Sequence, residues 1–197
     1  AVAALRATLQ EAAPEGLSAS TTGSLNQPAT DVVSDQDEVP IVHSGRTRVM
    51  VKVNDGCQNF CSYCIVPYAR GPQRSERASA VVHLVRDLVA RGVNEVVLTG
   101  INIGKYDDPD GGGGLPQLVE RLAATGLHRI RLSSIEPVDV TENLLQALSA
   151  DSFGCEHLHI PLQSGSDGVL AHMNRGYSTA QYVEVVELVR RVCRRLH

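Results

Sequence analysis

The sequence predicts an α/β fold with a parallel sheet, on three observations. Short β-branched runs alternate with segments of helical periodicity along the chain. Each run closes on turn-forming or small polar residues, and the helical segments carry start and stop signals of their own. Strands alternating with helices imply right-handed βαβ crossovers, and hence parallel neighbours.

The first strand is the run Thr47 to Val53, in which Val49, Val51 and Val53 alternate with other side chains before Asn54-Asp55-Gly56 ends it. A helix follows with Ser79 as N-cap, an apolar stripe of Val81, Val82, Leu84, Val85, Leu88 and Val89, and Gly92 just past its end. Glu95 to Thr99 is the second strand and closes on Gly100. The unit then repeats: a helix from near Pro116, a strand from Arg129 to Ser133, and a helix from Glu142 to Ala150 capped by Thr141. His157 to Leu162 is the fourth predicted strand. Ser178-Thr179-Ala180-Gln181 is a capping box that opens a last helix, with Tyr182, Val185, Val186, Val189, Cys193 and Leu196 at helical spacing. Periodicity alone leaves an open sheet and a partial barrel as alternatives. Before these elements, residues 1–10 favour helix by composition and 13–44 read as a linker rich in Ser, Thr, Gly, Pro, Asn and Asp. Gly111 to Gly114 reads as a flexible loop.

Composition sets limits on function. A chain of 197 residues with 43% hydrophobic and 20% charged side chains can build one sizeable core. A formal net charge of -4 excludes a nucleic-acid surface built on bulk positive charge, although a local basic patch stays open. Five cysteines is an odd number, and three fall within eight residues, which suits metal binding in a reducing compartment better than a disulfide framework. A cytoplasmic location is expected. There is no run of eighteen apolar residues, so no membrane partner is expected.

Cys57, Cys61 and Cys64 form a Cys-x3-Cys-x2-Cys loop at the carboxyl end of the first strand, where α/β folds present their chemistry. Three thiolates on one loop suit three irons of a 4Fe-4S cube and leave the fourth iron open to a small molecule. Structural zinc wants four closed ligands, commonly in paired CxxC units, and no second such unit is present. Cys155 and Cys193 read as buried small hydrophobes. His157 and His159 alternate with Leu158 and Ile160, so both imidazoles share one face. Gly100 to Lys105 lacks the spacing of a phosphate-binding P-loop, and QSGSD lacks that of a nucleophile elbow.

With Tyr63 just before the last cysteine, these residues resemble the signature of the radical S-adenosylmethionine (SAM) superfamily. The stretch DGCQNFCSYCIVPYARGPQRSE, with LTGINIGKY (98–106), RLSSIEP (131–137) and HLHIPLQSGSD (157–167), is similar to the methylthiotransferases of that superfamily. Tyr68-Ala69-Arg70-Gly71, Ile101-Asn102 and Ser134-Ile135-Glu136-Pro137 look most like the branch that methylthiolates threonylcarbamoyladenosine-37 of tRNA. Branches acting on isopentenyladenosine-37 or on a ribosomal-protein Asp are the alternatives, as is a non-catalytic Fe-S or zinc module.

The resemblance implies a partial TIM-type (β/α) barrel. It implies Cys57, Cys61 and Cys64 as ligands of a 4Fe-4S cluster whose open iron is chelated by SAM, and reductive cleavage of SAM to a 5'-deoxyadenosyl radical that abstracts hydrogen from C2 of the target adenosine. It also implies a SAM pocket lined by Tyr63, Gly100, Asn102, Ser134, Glu136, Gln163 and Ser164. Arg70, Arg74 and Arg77 are candidates for binding the SAM carboxylate or tRNA phosphate, since guanidinium forks suit both. The family carries a second 4Fe-4S cluster in an N-terminal domain and a C-terminal RNA-binding domain. Residues 1–12 are accordingly expected to be the tail of the first, 13–44 the linker, and 45–197 a radical SAM core incomplete at its C-terminal end. The remaining expectations are a reducing electron donor, tRNA bound mainly through the other domains, and a monomer.

Overall fold

The computed structural model describes residues 41–42, 48–150, 153–155 and 157–193. Residues 1–40, and with them the expected N-terminal helix, the domain tail and most of the linker, lie outside the described residues, as does Leu196.

Strand β2 (Arg48–Asp55) is the spine of a five-stranded mixed sheet. Val49, Val51 and Val53 are buried on one face, as their alternation requires. The strand runs two residues beyond Val53 because a short strand, β3 (Arg74–Ser75), pairs antiparallel with Asn54 and Asp55. At the other end β1 (Ile41–Val42) pairs antiparallel with Met50 and Val51, so the last part of the expected linker joins the sheet. Strands β4 (Glu95–Gly100) and β5 (Arg129–Leu132) then add in parallel, in the order β1-β2-β4-β5. The predicted parallel unit is therefore present, with two antiparallel pieces on β2 that are too short to carry a sequence signal.

Helix α1 (Val66–Arg70) follows the cysteine loop, and α2 (Ala78–Ala90) lies between β3 and β4. Its start differs from expectation: Arg77, not Ser79, is the N-cap, and its first-turn amide on Ala78 donates to the buried carboxylate of Asp108 at 3.2 Å. A capping oxygen from thirty residues away replaces the local one. Helix α3 (Leu115–Ala123) has Pro116 in its first turn, and Gln117 folds back to accept from the Gly114 amide at 3.0 Å. The expected flexible loop ahead of it is a hydrogen-bonded turn, with Asp108 N donating to Gly113 O and Gly111 N to Asp108 O. Helices α4 (Glu142–Ser149) and α6 (Thr179–Val192) start at the predicted caps, Thr141 and the Ser178/Gln181 box. Between them lies the short α5 (Asp167–His172).

The fourth predicted strand is not a strand. Residues 157–162 run extended past β5, with His157 and His159 exposed and Leu158 and Ile160 packed against the core. Among the described residues, backbone bonds link β5 to the chain just before this segment, Ile130 N to Phe153 O at 2.9 Å and Cys155 N to Ile130 O at 2.7 Å, and link the segment itself to the chain after β5, Ile135 N to His159 O at 3.0 Å. Pro161 has no amide to donate, and Ser133 N turns back to Leu98 O, so no continuous ladder forms. The alternation survives because burial sets it, independently of pairing.

Gly56 delivers the chain from β2 into the cysteine loop. Its φ is +76°, and a Cβ there would lie 2.2 Å from the Pro72 carbonyl oxygen. Backbone cannot rotate away as a side chain can. Gly56→Ala is therefore expected to destabilise the fold by about 2 kcal/mol or more, read as a lowered midpoint in urea.

Candidate functional site

The three cysteines lie on the loop between β2 and α1. Each is half-buried, and none is bonded to another cysteine. The loop is held on both sides. Cys57 N donates to Gly71 O at 3.2 Å and Cys64 N to Cys61 O at 2.9 Å, while Ser62 N reaches Met173 O at 3.2 Å. Asn174, in the left-handed region at φ +56°, donates its side-chain amide to the carbonyls of Asn59 (3.2 Å) and Phe60 (3.0 Å). The turn after α5 thus fixes the course of a loop 115 residues earlier.

Arg175, beside it, is the hub of the site. Its side chain is 7% exposed, and its Nη1 donates to Glu136 Oε1 at 2.8 Å. Nη2 donates to the Tyr63 hydroxyl, and the guanidinium lies 5.6 Å from the centre of the Tyr63 ring. Tyr63 in turn donates to Gln163 Oε1 at 3.3 Å. Three predicted residues, Tyr63, Glu136 and Gln163, are so brought together by a fourth that the sequence reading missed. Arg175 sits in an unremarked stretch, MNRGY, with no motif spacing to single it out. Its low exposure beside an acid is a tertiary fact.

A cavity of about 310 Å³ opens beside these groups, lined by Cys61, Glu136, Asn174, Arg175, Lys105 and Tyr177 among others. Burial pushes the Cys61 thiol up; Arg175 opposes this, and Glu136, Cys57 and Cys64 reinforce it. Burial pulls the Arg175 guanidinium down, but Glu136 and Tyr63 outweigh it, so its proton is held more tightly than usual.

The other predicted residues are placed differently. Asn102 is buried, and its carbonyl accepts from the Asn54 side chain at 2.5 Å. At Gly100 a Cβ would fall 1.7 Å from Asn54 Oδ1, so the glycine admits Asn54. Ser134 is exposed, and the Ser164 hydroxyl accepts from Ser166 N at 3.1 Å. Neither these four nor Tyr63 and Gln163 line the cavity beside Cys61; of the seven predicted pocket residues Glu136 does. The three arginines do not act as one patch. Arg70 pairs with Asp55 at 3.2 Å, Arg77 with Asp110 at 3.7 Å, and Arg74 lines a separate cavity. Cys193 is buried against Leu145 and Ser149, as a small hydrophobe would be.

Asp55 braces the exit of β2 electrostatically. Burial raises its carboxyl, but the Gly56 amide, Lys52 and Arg70 prevail and hold it below its ordinary value. A depressed carboxylate stabilises the fold above its unfolded pKa, near 3.9. That contribution is lost as pH falls through the lower folded value. Acid unfolding of Asp55→Asn is expected to depend less on pH below about 4, as followed by circular dichroism.

The donor set suits an iron–sulfur cube better than a single ion. Cys57, Cys61 and Cys64 lie on one loop and each can cap a separate iron, whereas structural zinc takes a fourth ligand that this loop does not bring. Zinc needs its ligands to meet at one point, whereas each thiolate of a cube binds its own iron. The Asn59 amide also donates to Cys57 Sγ at 3.4 Å, the kind of contact that tunes cluster sulfur.

Residues 51–195 match the family described as the Radical SAM superfamily. Among curated proteins, the chain is 43% identical over 152 residues to the threonylcarbamoyladenosine tRNA methylthiotransferase MtaB of Chlamydia pneumoniae, covering 76% of this chain and 36% of that protein. It is 47% identical over 148 residues to the tRNA-2-methylthio-N(6)-dimethylallyladenosine synthase of Geobacter sulfurreducens, covering 74% and 33%. The chain thus spans about a third of the length of these relatives. Among solved structures, the cobalamin-dependent SAM radical enzyme OxsB superposes with a TM-score of 0.57 at 14% identity, over 74% of this chain and 22% of that one. The radical SAM methyltransferase TsrM of Kitasatospora setae gives 0.51 at 18% identity, over 74% and 28%. At such identities the likeness is one of fold, a partial TIM-type barrel.

Proposed function

The chain belongs to the radical SAM superfamily, and from that premise we propose that it is the catalytic core of a tRNA methylthiotransferase acting at C2 of threonylcarbamoyladenosine-37. Membership implies a 4Fe-4S cluster and SAM. The observation that carries the reading is the convergence of Tyr63, Glu136 and Gln163 on the cysteine loop through Arg175, beside a cavity that Cys61 lines.

Cys57, Cys61 and Cys64 are the ligands that hold the cluster, and the cavity beside Cys61 takes SAM. When bound, the pair supplies a 5'-deoxyadenosyl radical by one-electron cleavage of the sulfonium. The chain's own residues orient and enclose. Asn174 holds the carbonyls of the loop, Arg175 fixes the Glu136 carboxylate and the Tyr63 ring, and Tyr63 anchors Gln163. A fixed Glu136 can accept hydrogen bonds from an amine or a ribose, and Gln163 can donate or accept. A second cluster, the sulfur source and the main tRNA grip belong to the rest of the protein in this reading, together with a reducing donor, a cytoplasmic location and a monomeric state. Among the described residues no helix is long and apolar enough to cross a membrane.

Support for the threonylcarbamoyl branch comes from the similarity to MtaB and from the segments 68–71, 101–102 and 134–137. Comparable identity to dimethylallyladenosine synthases favours a second reading, in which the isopentenylated base is the substrate. Mass spectrometry of tRNA nucleosides from cells lacking the gene separates the two. Loss of 2-methylthio-threonylcarbamoyladenosine supports the first reading; its persistence with loss of the isopentenyl counterpart overturns it.

A further inference from the structure

A second cavity, of about 600 Å³, shares Asn59 and Lys105 with the one beside Cys61. Its wall comes from the cysteine loop, from β3 and from the loop after β4, and every lining residue except Pro109 is polar or charged. Side-chain donors and acceptors stand all round such a wall, between stretches of aliphatic stem, and a sugar and its phosphate can use both.

Two cationic residues line it. Arg74 has no acidic partner within 4 Å among the described residues, while Arg70 and Arg77 on either side are tied to Asp55 and Asp110. Lys105 Nζ lies 2.6 Å from Asp139 Oδ1, and the Asp139 side chain is only 5% exposed. One ammonium proton fixes the side chain, and two are left for a ligand. The arrangement depends on Gly104, where a Cβ would lie 2.3 Å from that of Asp139. The Gln73 side chain donates to the Lys105 carbonyl and Asp107 N to Ser75 Oγ, so β3 and the loop after β4 hold the two cations in one frame.

Asp107 adds a carboxylate to the same wall. Two cations and one carboxylate make a poor site for a bare polyanion. They suit a ribonucleotide, whose phosphate takes the cations and whose 2'-hydroxyl donates to the acid. Resting on the reading of this chain as part of a tRNA-modifying enzyme, we propose that this cavity holds the ribose and phosphate of a nucleotide flanking the target adenosine. Arg74 and Lys105 bind the phosphate and Asp107 the 2'-hydroxyl, with Asp139 as the positioning residue for Lys105.

The test measures binding of an RNA anticodon stem-loop to the cluster-loaded, full-length protein over a range of salt concentrations. Lys105→Met and Arg74→Gln are each expected to weaken binding about tenfold, and to lower the slope of log affinity against log salt by about 0.7. Circular dichroism and iron content check that each variant is folded and loaded. Replacing the flanking riboses by 2'-deoxyribose should weaken binding to the wild type several-fold and leave binding to Asp107→Ala unchanged. If the wild type binds and both cation variants keep its affinity and slope, the cavity is not the phosphate site, and the tRNA reading stands without it. If the wild type does not bind the stem-loop, both fall.

Discussion

Cys61→Ala is expected to leave the fold intact and to empty the cluster site, with iron falling from about four per chain toward zero after anaerobic reconstitution. Formation of 5'-deoxyadenosine should fall to background with it. The fold survives because Cys61 is half-buried on a loop held by backbone and Asn174 contacts, and no hydrogen bond of its thiol supports the core. Removing one such side chain changes stability by about 1 kcal/mol at most. Cluster binding has no such reserve, because three ligands on one loop leave none spare. Cys193→Ala supplies the contrast. Its thiol is packed against Leu145 and Ser149, so a cost of about 1 kcal/mol is expected, with full iron content. Equal iron loss in Cys193→Ala and Cys61→Ala would defeat the assignment.

Arg175→Ala is expected to be the most destabilising single change at the site, by about 3 kcal/mol. The pair it breaks is 7% exposed at Arg175 and 20% at Glu136, so the carboxylate is left partly desolvated at the edge of the cavity without its partner. The variant also loses the Tyr63 stack. For a domain of this size the melting temperature should drop by roughly 6–12 °C. Most of this cost comes from the stranded carboxylate. Arg175→Met combined with Glu136→Gln should therefore recover more than half of the loss, which a double-mutant cycle measures directly. If the double variant melts no higher than Arg175→Ala, the stranded charge is not the source. Arg175→Lys keeps the charge but has no planar fork to reach Glu136 and Tyr63 together, so an intermediate loss is expected.

The strands β2, β4 and β5 were legible because burial on the sheet imposes alternation on their side chains, and α4 and α6 because their caps are local hydrogen bonds. The extended segment 157–162 carried the same alternation without a ladder, since a hydrophobic pattern reports burial and is silent on pairing. The start of α2 was misplaced because its capping oxygen belongs to Asp108. Strands of two residues and helices of five or six, such as β1, β3, α1 and α5, are shorter than the window over which periodicity can be read. In the site, Tyr63, Glu136 and Gln163 are joined through Arg175. Gly100 and Asn102 pack against Asn54, and the side chains of Tyr63, Gln163, Ser134 and Ser164 do not line the cavity beside Cys61.

The sequence by itself determined what is covalently local: the spacing of Cys57, Cys61 and Cys64, their place after a strand, and the alternation of strands with helices. These rest on a few neighbouring residues, so the order of residues suffices to read them. Only the tertiary structure decided which distant groups join the cysteine loop. It chose Arg175 as the hub, divided Arg70, Arg74 and Arg77 between ion pairs and a cavity, and set Lys105 against Asp139. Such pairings depend on which side chains lose their water together when the sheet and helices pack, and chain order does not record that.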